Sequence, residues 1–462
     1  MCSSDLAAQK GHTQQCAPLF YSAVDEELWI TLHNLGLQLR PDLVDSHTVH
    51  WHGFRNAIPF YDGVPESSIS VPIGRNFTYV YRPKDAGTYM YHCHFEDVEH
   101  VTMGMQGIVF VKPSASDRVG LVAGEQKAYG VSDGDASGET KYVREYAQLL
   151  SDVDTRSHFN DAHIQLTDWT DFHADFHIIN GRSYPDTLEP NGVRGADGVL
   201  RAQTFTGFDG SGVAQLATVD DVAAPAGRLA SQPLSSVVYA APGERILIRF
   251  ANLGFIDRTI EFPGLEIDVL GIDSRYVAAS NRRTATDTIQ LGPGESRDVF
   301  FTAPAEGVYP VFDRGMSHYV GSADGTDSWV GGQRTEIRVV AGLAPQLKPN
   351  GWPGEAEWDG EFPVLATHAQ PVVTLNGTHA APTVDIPSTP VTLTGSVALA
   401  TTVNSLYLAD LWWATGDGMP AIGSVDWTSI APNPDNTFTV DAGVSASTTT
   451  KYWILARDSG GI

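Results

Sequence analysis

The chain is poor in cysteine, poor in positive charge and free of long apolar runs. Only three cysteines occur in 462 residues, Cys2, Cys16 and Cys93. That number excludes a scaffold stapled by disulfides. Cys2 and Cys16 could pair with one another, whereas Cys93 stands between two histidines. Lys and Arg number 29 against 55 Asp and Glu, a formal charge of −26. A phosphate-binding surface needs clustered basic side chains, so nucleic acid is excluded as a partner and docking on an anionic membrane is disfavoured. No run of about 18 apolar residues is present, so no helix is expected to span a bilayer. Charged residues make up only 18% of the chain and aromatics 10%, which excludes a disordered acidic tail. No basic segment followed by an apolar stretch marks a leader. The opening Met1-Cys-Ser-Ser-Asp-Leu6 reads like translated adapter sequence, and the chain stops straight after a strand-like run. Both ends are therefore expected to be those of a fragment, with any leader lost upstream.

Helical periodicity is scarce as well, while 45 Gly and 27 Pro punctuate short β-rich runs. Leu28–Leu32, Phe77–Tyr81, Gly107–Val111, Arg245–Phe250 and Asp298–Thr302 read as strands of antiparallel sandwiches or barrels. An internal repeat of roughly 220 residues organises them. Ile30–Gly36 (ITLHNLG) matches Ile248–Gly254 (IRFANLG), Thr48–Gly53 (TVHWHG) matches Thr259–Gly264 (TIEFPG), and Gly87–His94 (GTYMYHCH) matches Gly307–Arg314 (GVYPVFDR). The predicted architecture is all-β, with two copies of one barrel at 1–113 and 114–342. A Pro/Gly/Glu-rich linker at 343–367 and an immunoglobulin-like sandwich at 368–462 follow. The turn-rich stretches 120–140 and 191–232 are expected to be long loops.

The repeat keeps its scaffold and changes its chemistry. His47, His50 and His52 of the first copy align with Arg258, Glu261 and Pro263, and His92, Cys93 and His94 align with Phe312, Asp313 and Arg314. Along a strand, residues two apart share a side. His50 and His52 therefore face together, as do His92 and His94, while Cys93 faces the opposite way. His100 and Met105 follow within twelve residues of Cys93. Two imidazoles, a thiolate and a weak axial thioether make a trigonal site selective for copper, with His47 as the natural second imidazole. The histidine pairs on the other face would bind further copper ions, one residue of backbone away from the sulfur.

On HxxHxHG at His47–Gly53 and HCH…H…GM at His92–Met105, the chain resembles the multicopper oxidases, laccase-like proteins built of cupredoxin domains. The resemblance implies Greek-key cupredoxin barrels and copper cofactors of type 1, 2 and 3. His47, Cys93, His100 and Met105 match the type 1 ligands, with Met103 a minor rival for the axial place. His50 matches a type 2 ligand, and His52, His92 and His94 match type 3 ligands. It implies one-electron oxidation of a small reducing substrate, a phenol or a metal ion, with Cys93, His92 and His94 carrying electrons to O2. It also implies a secreted or periplasmic location. The second copy, including Asn180–Thr187, is similar to the family's copper-free middle domain.

Two departures stand out. His100 follows Cys93 by seven residues where the family usually has five. The first copy supplies four cluster histidines of the usual eight, and the second copy supplies none at matching positions. A partner subunit, as in a homo-oligomer, or a further domain would have to complete the cluster. The alternative is a copper-binding electron-transfer or scaffold protein with an incomplete cluster; a nitrite reductase-like enzyme is disfavoured by His94. Elsewhere the expectations are plain. His173 and His177 are read as loop or surface residues, Glu96, Asp97 and Glu99 as a solvated turn, and Trp51 as a packing residue. Asn76-Phe-Thr78 and Asn376-Gly-Thr378 are glycosylation sequons by pattern alone.

Overall fold

Period-two alternation of half-buried and exposed residues builds the first strands, as in Leu28–His33, where Leu28, Ile30 and Leu32 turn inward. The computed structural model describes residues 15–36 apart from 16 and 18, 45–162 apart from 56 and 57, 167–188 apart from 185, the short strands within 193–218, 232–315 apart from 233 and 283–285, 332–343, and beyond these 346, 372–375, 392–398, 408–415, 428–441 and 452–458. Cys2, Cys16 and His318 lie outside the described residues.

The first copy contains β1 (Phe20–Ala23), β2 (Leu28–His33), β3 (His50–His52), β4 (Asn76–Tyr81), β5 (Gly87–His92), the short helix α1 (Asp97–Thr102) and β6 (Gln106–Lys112). They form a sheet in the order β1-β6-β5-β3 and a second, two-stranded sheet β2-β4. Between the sheets lie Trp51, Tyr79, Tyr81, Tyr89, Val109 and Val111. Trp51 stacks on Tyr81 at 4.0 Å between ring centres, a packing role as expected. The second copy repeats the plan with five strands facing six, around a core that includes Phe250, Ile260, Phe262 and Phe301.

Hydrogen-bond register proves the repeat. His50 pairs with His92 across β3 and β5, and Glu261 pairs with Phe312 in the second copy. His47 bridges Val71, and Arg258 pairs with Leu291. Asn34 donates to the Val71 carbonyl as Asn252 does to Leu291. The two copies therefore differ in side chains and share a backbone.

A seam of buried charge joins them. Arg249 bonds Glu145 at 2.6 Å and Thr88 of β5 at 2.8 Å, Lys112 lies 3.3 Å from Glu145, and Tyr129 donates to Asp298 at 2.5 Å. Every one of these groups is buried, so each needs its partner to offset desolvation.

Three expectations are corrected. The stretch 191–232 contains two hairpins, Val193–Arg194 with Leu200–Arg201 and Gln203–Phe208 with Ala214–Thr218, and within 120–140 Gln126–Lys127 pairs with Lys141–Tyr142. Residues 97–102 form α1 instead of a solvated turn. His177 sits buried on the strand Phe176–Ile179, because Asp152 provides an inward partner at 2.7 Å; His173 is exposed, as expected. Past residue 372 the described strands make two three-stranded antiparallel sheets. Among the described residues no helix is long and apolar enough to cross a membrane.

Candidate metal centre

At the end of β5 the chain leaves the sheet, and Cys93 points into a corner closed by the approach to β3 and by α1. Its Sγ lies 3.2 Å from His100 Nδ1 and 4.0 Å from His47 Nδ1, and the two Nδ1 atoms are 3.4 Å apart. All three donors fall within 4.8 Å of one another, and all three side chains are buried. The Thr48 N–H donates to the sulfur at 3.4 Å. The Met105 backbone belongs to the same corner, donating to the His100 carbonyl at 2.9 Å and accepting from the Cys93 N–H at 3.1 Å. Met103, the other methionine considered, ends α1.

Asp45, which the sequence reading passed over, closes the far side. Its carboxylate lies 3.3 Å from His47 Nε2 and 3.1 Å from His100 Nε2. One carboxylate thus fixes both rings with Nδ1 turned toward the sulfur, the outer-shell role that orients metal-binding histidines. An acid two residues ahead of the first histidine was the available signal. Burial pushes the Cys93 thiol up, but hydrogen bonds with His100 and His47 outweigh it and bring it down to about 6. Burial likewise pushes His100 down, while Asp45 and Cys93 lift it to about 10. The corner therefore favours a thiolate, the form that binds metal.

On the opposite side of β5 the four remaining histidines gather. Ring centres lie 5.2 Å apart for His50 and His92, 5.1 Å for His50 and His94, 5.8 Å for His52 and His92, and 5.8 Å for His92 and His94. His50 Nδ1 donates to the Asp62 carbonyl at 2.7 Å and His92 Nδ1 to the Cys93 carbonyl at 2.8 Å. Both bonds leave Nε2 free to ligate. The buried His52 Nδ1 has no hydrogen-bond partner among the described residues, and burial drives His92 down to about 4, so its imidazole is neutral near pH 7. Imidazoles with unengaged nitrogens are the donor set that soft and borderline metals such as copper take.

Gly63 makes this packing of β3 feasible. Its φ is +75°, and a Cβ there would stand 2.2 Å from the Val49 carbonyl oxygen, beside His50. No other side chain fits.

The second copy brings no histidine to these positions. Arg258 stands in the place of His47, 3.6 Å from Asp313 in the place of Cys93, and Arg258 also bonds Asp152. Glu261 and Arg314, aligned with His50 and His94, lie 3.5 Å apart.

Residues 17–116 and 153–328 each match a family model described as "Multicopper oxidase". Copper resistance protein A of Escherichia coli is 24% identical over 305 residues, 64% of this chain and 44% of that protein. Multicopper oxidase MmcO of Mycobacterium tuberculosis is 26% identical over 392 residues, 82% of this chain and 61% of its own length. The chain thus spans about half the length of the curated relatives it matches. Among solved structures, the blue copper oxidase of Nitrosomonas europaea superposes with a TM-score of 0.48 at 21% identity, covering 70% of this chain and 76% of that one. With two cupredoxin copies in register and family matches over more than half its length, the chain belongs to the multicopper oxidase family, whose cofactor is copper.

Proposed function

We propose that this chain is the substrate-accepting half of an oxidase. In this reading His47, Cys93, His100 and Met105 would hold a type 1 copper, and His50, His52, His92 and His94 would hold half of a type 2/type 3 cluster. Bound copper supplies one-electron chemistry at the sulfur corner and reduction of O2 to water at the imidazole face. The chain's own residues do the rest. Asp45 orients both type 1 imidazoles, and Asp62 and the Cys93 carbonyl orient His50 and His92. The observation that carries the reading is the geometry around Cys93: its thiol serves one side while its carbonyl accepts the His92 Nδ1–H at 2.8 Å. The backbone and that hydrogen bond thus join Cys93 to the same imidazole, one link covalent and the other hydrogen-bonded.

Since Glu261, Pro263, Phe312 and Arg314 fill the matching positions of the second copy, the other cluster ligands come from a second copy of the chain or from a further domain. The reductant is a small phenol or metal ion, and the formal charge of −26 suits a secreted or periplasmic enzyme that meets small or cationic substrates. The two small sheets past residue 372 support an immunoglobulin-like spacer.

Copper loading decides between this and a one-copper electron-transfer protein. The oxidase reading expects about four copper ions per assembled site, a blue charge-transfer band, and O2 uptake abolished by Cys93→Ser. Blue colour at one copper per chain, with no O2 uptake, would leave only electron transfer.

A further inference from the structure

The seven residues from Cys93 to His100 run into α1, which carries His100 and reaches the second copy. A helix of six residues has no stability of its own. It opens at Glu96 in the left-handed region, φ 48°, a strained start for a residue with a side chain. Something outside must hold it, since His100 sits on it.

Three side chains from outside α1 grip it. Trp169 Nε1 donates to Glu99 Oε1 at 2.9 Å, His158 Nε2 donates to the Thr102 carbonyl at 2.6 Å, and Gln15 Nε2 donates to the same carbonyl at 3.0 Å. Trp169 and His158 both belong to the second copy. His158 lies on the helix α2 (Thr155–Ala162), whose first amides bond the Asp154 carboxylate. Trp169 is seated on Phe172 and Phe255, each 6.5 Å away between ring centres, and those two rings meet at 4.9 Å. The Phe255 N–H is held by Asp152 at 3.0 Å, the carboxylate that also bonds Arg258. The platform under α1 is thus fastened to the ion-paired corner that replaces metal ligands in the second copy.

We propose that Trp169, with His158, is a positioning residue: through Glu99 and α1 the copper-free copy holds His100 against Cys93. The inference rests on the reading of Cys93 and His100 as copper ligands. It assigns the second copy a part in the first copy's metal site, and it gives the longer loop a purpose.

The test uses the full chain with Trp169→Phe, Glu99→Leu and Glu99→Gln. Gln keeps an acceptor for the indole N–H; Leu does not. In metal-free protein, α1 amides should exchange roughly tenfold or more faster in Trp169→Phe and Glu99→Leu, the worth of one hydrogen bond to a charged group, with Glu99→Gln close to wild type. After copper loading, the same two variants should shift the thiolate-to-copper band and lose that copper faster, and copper at the imidazole face should stay. The global unfolding midpoint serves as the control for misfolding. Unchanged α1 exchange and an unchanged band in Trp169→Phe and Glu99→Leu would overturn the proposal, as would Glu99→Gln behaving like Glu99→Leu. Wild-type protein that binds copper without the band would overturn the copper reading instead, because exchange in metal-free protein still reads the grip on α1.

Discussion

The two copies solve the same backbone problem with opposite chemistry. In the first, the corner between the third and fifth strands gathers a thiol and two imidazoles whose nitrogens turn inward. In the second, Arg258 and Asp313 occupy the same register, joined by Asp152 and His177. Two buried acids stand in that corner, one of them in the place of Cys93, and the guanidinium supplies a resident positive charge. The lesson is that the fold is indifferent to the ligands, while the corner is not indifferent to charge.

That comparison can be broken most sharply at Arg258. Arg258→Met leaves Asp152 and Asp313 buried without their cation, and removing one partner of a buried ion pair costs about 3–5 kcal/mol. Denaturant unfolding should show a loss of that size, with copper uptake retained wherever folded protein persists. A variant as stable as wild type would mean that the guanidinium is incidental and the two corners are not counterparts.

The next effect concerns backbone. Gly63→Ala puts a side chain at φ +75° against the Val49 carbonyl, a strain of about 1–3 kcal/mol, and the shift it forces falls on His50. Gly264→Ala meets nothing within 4 Å at φ +78°, so it carries only the left-handed penalty of about 1–2 kcal/mol. Unfolding midpoints and copper uptake measured together should separate them: Gly63→Ala lowers both, Gly264→Ala only the first.

The sequence made the gathering of cysteine and histidines legible and left the ion-paired side hidden. Strand alternation and the repeated NLG, T…G and GTY/GVY segments placed both copies, since those turns recur for backbone reasons. The parity of strands separated Cys93 from His92 and His94. What could not be read was long-range. Asp45 earns its role only because His47 and His100 come together across the fold. His177 looked like a loop residue because its partner Asp152 lies on a neighbouring strand. The acidic residues around Glu99 looked solvated because Trp169 is seventy positions away.

Acid should separate the copies in metal-free protein. Burial holds His92 at about 4 against an ordinary 6.5, so the unfolded chain takes the proton first and stability falls as pH drops from about 6.5 toward 4. Cys93, down at about 6, acts in the same direction, losing its contribution as pH falls through that value. The raised His100 contributes stability that is already complete below 6.5 and does not oppose the trend. In the second copy burial pushes Asp152 up, but His177 and Arg258 more than compensate and hold it below 3.8. Its stabilisation is present above 3.8 and is lost only below. Hydrogen exchange at pH 5 against pH 7 should therefore loosen β3 and β5 before the strand Arg258–Glu261. Equal loosening in both copies would remove the electrostatic distinction.

The smallest effect is expected at Arg314, and it sharpens the comparison most. Glu261 and Arg314 replace His50 and His94, yet Arg314 is 66% exposed. An exposed ion pair contributes at most about 1 kcal/mol, so Arg314→Ala should move the unfolding midpoint very little. Water reaches that pair and solvates Arg314, so the face does not depend on the ion pair. The sulfur corner has no water to fall back on and had to receive Arg258. If Arg314→Ala destabilised the fold as much as Arg258→Met, burial would not be what distinguishes the two faces.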